Sequence, residues 1–133
     1  MKDAINGSDT VLEYTDTGGQ YANVRFDAPS NFDLVGGGSK FTLKIYVDSA
    51  SLPAGGVAPN QLSVKLQDGT ANEPWAEQSE IIKPIVLDVW QELTYDFEAD
   101  VDRTDFNRVV IQVNGENNFE AVTAYIDDLV YSN

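Results

Sequence analysis

The sequence predicts an all-β fold, a two-sheet antiparallel β-sandwich of the jelly-roll type. Apolar and polar residues alternate with a period of two along most of the chain, as in strands that place one face on a core. Clusters of Gly, Pro, Asn and Asp separate these segments at short intervals. No window carries apolar residues at helical spacing over three turns. Repeated short strands of this kind are typical of two packed antiparallel sheets.

The first two segments are predicted to pair as a hairpin. Residues 10–15 and 21–26 both alternate, and the run Asp16-Thr17-Gly18-Gly19 between them is a turn signal. Three consecutive glycines at 36–38 then predict a flexible connection to the next strand.

The remaining strands are predicted from apolar rows that recur at every second residue. They bring the expected total to about eight to ten short strands. A loop rich in Pro, Gly and Ala at 49–60 interrupts the series, and Asp68-Gly69-Thr70 ends the strand that follows it. The predicted strands cover 40–48, 61–67, 78–83, 90–97, 108–114 and 121–131, and the rows expected to face the core are Phe41, Leu43, Ile45 and Val47; Leu62, Val64 and Leu66; Leu93, Tyr95 and Phe97; and Val109, Ile111 and Val113.

Length and composition indicate one ordinary globular domain. The chain has 133 residues, 42% of them hydrophobic and 23% charged, which suits a single core. We assign residues 1–8 to a linker and 9–133 to the domain. We expect the natural protein to be longer and multimodular, and the isolated module to be monomeric.

The charge balance excludes several classes of function. The net charge of −14, from 22 acidic against 8 basic residues, repels nucleic acid and anionic membrane surfaces. No apolar stretch is long enough to insert into a membrane. The absence of Cys and His removes disulfides, thiolate nucleophiles, zinc fingers and imidazole-based mechanisms. No motif for catalysis is present, and we predict that the protein is not an enzyme.

Half of the basic residues occupy outward positions in the middle of predicted strands, next to amides and a tyrosine. If those strands are neighbours, they form one polar sheet face whose donors and acceptors suit sugar hydroxyls. The alternative is that these bases are ordinary solvated strand faces. The predicted ligand-binding set is Arg25, Lys44, Tyr46, Lys65, Gln67, Arg108, Gln112 and Asn114, with Trp75 at one end.

The two tryptophans differ in their predicted environments. Trp75 lies in a loop, where it is either a platform for a sugar ring or a plug over the end of the sandwich. Trp90 opens a strand beside apolar residues, and we predict that it is buried.

Two segments resemble known carbohydrate-binding modules. The closing run Tyr125-Ile126-Asp127-Asp128-Leu129-Val130-Tyr131 is similar to the last strand of jelly-roll modules of this kind. The run Trp90-Gln91-Glu92-Leu93-Thr94-Tyr95-Asp96-Phe97 resembles another of their strands. The segments 60–67 and 103–117 resemble modules of secreted polysaccharide-degrading or glycan-capturing proteins of marine Bacteroidetes. The resemblance implies binding of a β-glucan or an algal polysaccharide without catalysis, at the cell surface or outside the cell.

The same resemblance implies a structural calcium ion that joins the first and last strands. The matching ligands in this sequence are Asp128, with Glu13 and Asp33 or backbone carbonyls. Calcium takes six to eight oxygen ligands, and an acidic chain supplies carboxylates. The alternative is that Asp127 and Asp128 cap a strand and hydrogen-bond a loop.

Two functions of different classes therefore remain at this stage. The first is a module that binds a polysaccharide on its polar face. The ligand would be a neutral β-glucan such as the β-1,3-glucan laminarin, which the resemblance favours slightly, or an anionic algal polymer such as alginate. The second is a structural or adhesive spacer domain of a large surface protein.

Overall fold

The protein consists of short strands arranged in two sheets. The computed structural model describes residues 3–18, 23–35, 38–55, 59–114 and 121–132. Within these ranges the helical elements are short 3₁₀ turns at Ser49–Ser51, Pro74–Glu77 and Glu98–Asp100. The strands are β1 (Leu12–Asp16), β2 (Asn23–Asp27), β3 (Lys40–Val47), β4 (Gln61–Gln67), β5 (Ser79–Pro84), β6 (Gln91–Asp96), β7 (Arg108–Val113) and β8 (Val122–Ser132).

The strands form two four-stranded antiparallel sheets, which confirms the predicted β-sandwich. Sheet A has the order β1-β8-β3-β6, and sheet B has the order β2-β7-β4-β5. Most sheet neighbours are distant in sequence, as β3 beside β8 and β4 beside β7 illustrate. Long-range pairing of this kind is the rule in sandwiches with crossing connections.

The predicted hairpin between the first two segments is wrong. β1 pairs with β8 in sheet A, whereas β2 pairs with β7 in sheet B. The turn signal is real, because the Asp16 carboxylate accepts a hydrogen bond from the Gly18 N–H at 2.7 Å and Gly18 has a φ of 105°. The chain uses it to cross from one sheet to the other. Residues 19–22, including the predicted strand start at Tyr21, lie outside the described ranges, as do Gly36 and Gly37.

The predicted apolar rows form the layer between the sheets. The row of β6 reaches the core less completely, because β6 is an edge strand and Leu93 is half-buried. The buried members of the predicted rows are Phe41, Leu43, Ile45, Val47, Leu62, Val64, Leu66, Tyr95, Phe97, Val109, Ile111 and Val113.

Two buried tyrosines of sheet A reach the backbone of sheet B. The Tyr95 hydroxyl donates a hydrogen bond to the Leu62 carbonyl at 2.7 Å, and burial raises the pKa of Tyr95. Tyr14 is hydrogen-bonded to the backbone of Val113. Its pKa is raised to about 12, first by burial and then by the nearby Asp16 carboxylate. Both tyrosines therefore stay protonated and tie the sheets together across the core.

Within the described ranges, the protein has no helix that is both long and apolar enough to cross a membrane.

Replacing Tyr95 with Phe should destabilise the fold by about 1–2 kcal/mol, because the buried Leu62 carbonyl loses its hydrogen-bond donor. Urea unfolding measures the difference. Tyr46→Phe is the matched control, since the Tyr46 hydroxyl makes no hydrogen bond with the described residues. Equal stability of Tyr95→Phe and wild type would show that the cross-sheet hydrogen bond contributes nothing.

Candidate ligand-binding cleft

The outward face of sheet B carries three rows of side chains that cross the strands. Because Leu62, Val64 and Leu66 of β4 point into the core, the residues between them point outward. The strand registers then align them with outward residues of β5, β7 and β2. The rows are Gln78, Gln67, Arg108 and Asp27; Glu80, Lys65, Val110 and Arg25; and Ile82, Ser63, Gln112 and Asn23.

Seven of these twelve residues form the floor of a cleft of about 740 Å³, and the other five lie beside or beneath it. The volume is in the usual range of small-molecule sites, although this cleft is open to solvent. Its lining combines amides, cations and one large aromatic ring, and it includes the apolar Val110. The lining residues are Asn23, Arg25, Lys65, Gln67, Pro74, Trp75, Gln78, Arg108 and Val110.

Trp75 forms one wall of the cleft. It lies on the 3₁₀ turn Pro74–Glu77, which Pro74 helps to start, and the residue is 62% exposed. Just after this turn, the Gln78 side-chain oxygen accepts a hydrogen bond of 2.6 Å from the Gln67 amide of the floor. A side chain with this exposure does not fit the role of a plug over the end of the sandwich, which was one of the two roles considered for Trp75. The position is that of a platform beside a polar floor.

Lys65 lies at the centre of the floor and is only 3% exposed. Its Nζ donates to the Gln112 side-chain oxygen at 3.2 Å and lies 3.8 Å from the Glu80 carboxylate. The Ser63 hydroxyl donates to the same carboxylate at 2.5 Å. A buried ammonium is costly unless it is paired and hydrogen-bonded, and this network provides both. The Lys65 ammonium is therefore held in place by the protein's own side chains.

Asp27 joins the two arginines of the cleft. Nε of Arg108, whose side chain is 13% exposed, donates to the Asp27 carboxylate at 2.5 Å. Arg25 lies 3.8 Å from the same carboxylate and is far more exposed. The hydrogen bond from Arg108 is the main reason why the pKa of Asp27 is below its ordinary value of 3.8, with smaller contributions from the charges of Arg108 and Arg25. Asp27 is therefore ionised at neutral pH.

The structure brings most of the predicted ligand-binding residues together. Arg25, Lys65, Gln67, Trp75 and Arg108 line the cleft. Gln112 belongs to the floor through its hydrogen bond with Lys65. Asn114 follows β7 with a φ of 67°, and its N–H donates to the Gln61 carbonyl at 2.7 Å. It therefore lies at the end of the β4–β7 pairing and does not line the cleft. The binding role of each residue stays a prediction.

Lys44 and Tyr46 are the exceptions, and the expectation that they share the polar face is wrong. Both lie on β3 of sheet A, so their outward side chains point away from the cleft of sheet B. Lys44 Nζ donates to the Asp128 carboxylate at 2.7 Å. Tyr46 packs on Trp90 at a ring distance of 5.7 Å. Trp90 is buried as predicted, but against Tyr46 and outside the core cluster that was expected to hold it.

Sequence reasoning missed the residues that hold the cleft in shape. Asp27 lies two residues after Arg25 on the outward face of β2. Glu80 points outward from β5, and Gln78 precedes that strand by one residue. The same alternation that placed the bases could have placed these residues. An acidic side chain carries little signal in a chain with 22 of them.

The proposed calcium ligands do not come together. Among the described residues, no three His, Cys, Asp or Glu are grouped closely enough to hold a metal ion, and that includes Glu13, Asp33 and Asp128. Asp128 is occupied by Lys44, and the Asp33 carboxylate accepts from the Val35 N–H at 3.1 Å. This set does not fit a shared site, and calcium binding stays an untested prediction of the resemblance.

Asp127 instead connects β8 to the N-terminal segment. The side chains of Ser8 and Asn6 hydrogen-bond its carboxylate and hold its pKa below the ordinary value, with the Ser8 hydrogen bond making the largest contribution. This is the loop-binding role considered for the Asp pair. Oδ2 of Asp127 is buried without a hydrogen-bond partner among the described residues, but one carboxylate supplies too few oxygens for calcium. The linker assignment of residues 1–8 stays a prediction, although Asn6 is buried.

The fold is similar to that of solved carbohydrate-binding modules. No family model and no curated protein matches the chain. One similar solved structure concerns carbohydrate-binding modules of the β-sandwich superfamily and their promiscuous specificity, with a TM-score of 0.54 and 22% identity over 84% of this chain and 42% of that one. A CBM4 structure has a TM-score of 0.51 and 15% identity over 92% of this chain and 70% of that one. At these identities the likeness shows the fold alone.

The Asp27 carboxyl should titrate below 3.8, and in Arg108→Gln its pKa should rise towards that value because the main hydrogen bond is lost. Carbon-detected NMR of the side chain measures both. The pKa of Asp27 is lower in the folded state than in the unfolded state. The pair with Arg108 therefore stabilises the fold at pH values above the ordinary pKa of 3.8, and this contribution is lost as the pH falls through the lowered pKa. Arg25→Gln should cause a smaller change. An unshifted Asp27 pKa in Arg108→Gln would contradict the assignment.

Proposed function

We propose that this domain is a non-catalytic module that binds one polysaccharide chain in the cleft of sheet B. The observation that carries the proposal is the combination of an exposed tryptophan wall with a fixed polar floor in one open cleft. An open cleft admits the middle of a long chain, whereas a closed pocket admits only an end. The fold shared with carbohydrate-binding modules supports the same reading.

The two parts of the cleft match the two kinds of surface on a sugar ring. The C–H face of a pyranose is apolar and can stack on the Trp75 ring. The hydroxyls at the ring edge both donate and accept, and Gln67 and Asn23 offer both functions while the arginines donate. The hydrogen bonds within the floor hold Lys65 and Gln112 in place, so little side-chain entropy remains to be lost on binding.

The charges of the cleft favour a neutral glycan over an anionic one. Each of its three cations lies within 3.8 Å of a carboxylate: Arg25 and Arg108 near Asp27, and Lys65 near Glu80. A glycan carboxylate would have to compete with these acids. It would also approach a protein with a net charge of −14. We therefore propose a neutral β-glucan-type chain as the ligand, and not alginate.

The two acids of the cleft are held in structural roles. Asp27 is bound to Arg108 with a lowered pKa, so it cannot serve as a proton donor at neutral pH. Glu80 accepts from the Ser63 hydroxyl and lies beside Lys65. A glycosidase needs one carboxyl that is protonated and one that is free to attack or to activate water. This arrangement supports binding without hydrolysis.

The setting that suits such a module is a larger protein that acts outside the cell. A single cleft gives modest affinity, and attachment to further modules converts it into useful avidity. Secretion or display at the cell surface, and a multimodular parent, are therefore parts of this proposal.

Trp75→Ala should weaken binding of a soluble neutral β-glucan by at least about tenfold, because the stacking surface is lost. Affinity electrophoresis or calorimetry measures the effect. Val86→Ala, which removes a similarly exposed apolar side chain outside the cleft, is the matched control and should bind normally. Full binding by Trp75→Ala would place the site elsewhere, and no binding of any glycan by the wild type would favour the spacer function.

Raising NaCl from about 50 to 500 mM should leave the affinity for a neutral β-glucan unchanged, whereas any ion-pair contribution would be screened. Alginate should show no retardation at either salt concentration. Lys65→Gln should lose binding because the floor collapses, while Lys44→Gln on the other sheet should retain it. Tight, salt-sensitive binding of alginate would overturn the neutral-ligand proposal.

A further inference from the structure

Gly69 packs so closely against the guanidinium of Arg108 that a side chain at position 69 would require the guanidinium to shift. A Cβ atom on Gly69 would lie 2.9 Å from both Nε and Nη2 of Arg108 and 3.0 Å from Cζ. These nearly equal distances place it over the flat face of the guanidinium. Gly69 does not have a positive φ, so its backbone conformation is open to other residues. The absence of a Cβ at Gly69 thus lets the Arg108 guanidinium keep its present position.

The loop that carries Gly69 is itself fixed. The Gly69 N–H donates to the Asn107 side-chain oxygen at 2.8 Å. The Thr70 N–H and hydroxyl both donate to the Asp68 carboxylate, at 2.9 and 2.6 Å. Any added atom at Gly69 therefore displaces the Arg108 side chain, which is the more adjustable partner.

Asp27 fixes the guanidinium at its edge while Gly69 covers one face. Asp27 accepts from Nε at 2.5 Å. Among the residues that the structure describes, Nη1 and Nη2 of Arg108 donate no hydrogen bond, although the side chain is largely buried and lines the cleft. The terminal fork of Arg108 therefore keeps its donors for a ligand in the cleft, and an arginine fork makes paired, charge-assisted hydrogen bonds.

We infer that Gly69 is a positioning residue that aims the Arg108 fork at two adjacent hydroxyls of one sugar residue. This inference rests on the proposed function and specifies its ligand. A planar fork donates two parallel hydrogen bonds, which a pair of neighbouring oxygens accepts together. Asp27 already neutralises the charge, so a neutral diol suits the fork better than a second carboxylate.

The class of ligand follows from which glycans keep such a pair along the chain. In a 1,4-linked β-glycan, every internal residue has free hydroxyls on neighbouring carbons 2 and 3. In a 1,3-linked β-glucan, the linkage occupies carbon 3, and the internal residues have no free pair on neighbouring ring carbons. The site therefore prefers 1,4-linked chains, and the slight preference for laminarin that the sequence resemblance suggested is reversed.

Calorimetry with cellohexaose and laminarihexaose tests the assignment, because the two neutral probes differ in linkage and not in length. The wild type should bind cellohexaose at least about tenfold more tightly, as expected for about two hydrogen bonds. Gly69→Ala should weaken cellohexaose binding by about tenfold and remove the preference. Gly7→Ala is the control, because a Cβ there meets nothing within 4 Å, and it should behave as wild type.

Arg108→Lys keeps the charge and loses the fork, and it should likewise lose the preference between the two probes. If thermal unfolding shows that Gly69→Ala is unstable, the Arg108→Lys variant tests the role of the fork in its place. One outcome is that the wild type binds both probes equally and Trp75→Ala weakens the binding of both. That result would support glycan binding in the cleft and overturn the role of Arg108. Failure of every glycan to bind would overturn both proposals.

Discussion

Burial of the apolar rows between the sheets is the constraint on which the cleft depends. Val64 and Leu66 of β4 are fully buried, and burying each such side chain contributes about 1.5–3 kcal/mol. Lys65 lies between them and has to point to the other face. A slip of one residue would drive its ammonium into the core and expose both neighbours, so the register is strongly specified. The same packing that stabilises the sandwich therefore also fixes the direction of each floor residue.

Charge pairing holds the side chains of this polar face in defined positions. Long cationic side chains on a sheet normally sample many rotamers, but Arg108 and Lys65 are each held by a carboxylate and are mostly withdrawn from solvent. The carboxylates come from β2 and β5, the two outer strands of sheet B, and so the sheet is braced from both edges. The positive charges of the cleft are thus largely compensated by these carboxylates. A ligand would interact mainly with the fixed hydrogen-bond donors and acceptors.

The sequence predicted the fold class, the core rows and most of the cleft lining, because alternation reveals which face of a strand each residue occupies. It could not predict which strands are neighbours. Lys44 and Lys65 look alike in sequence, each in the middle of an alternating strand, yet β3 and β4 belong to different sheets. That pairing is decided by the packing of the whole core, and no local pattern carries it. The contact of Gly69 with Arg108 was equally invisible, since a glycine after Asp68 resembles any turn.

The hydrogen bond between Gln78 and Gln67 links the turn that carries Trp75 to the floor of the cleft. Aromatic wall and polar floor are thus one connected body, already ordered in the free protein. A chain that has settled on the floor cannot be released by movement of the wall alone, because both sets of contacts have to break together. Such coupling acts mainly on dissociation and leaves the encounter rate to diffusion. If the cleft binds a glycan as proposed, this link between wall and floor therefore slows release of the chain more than it speeds capture.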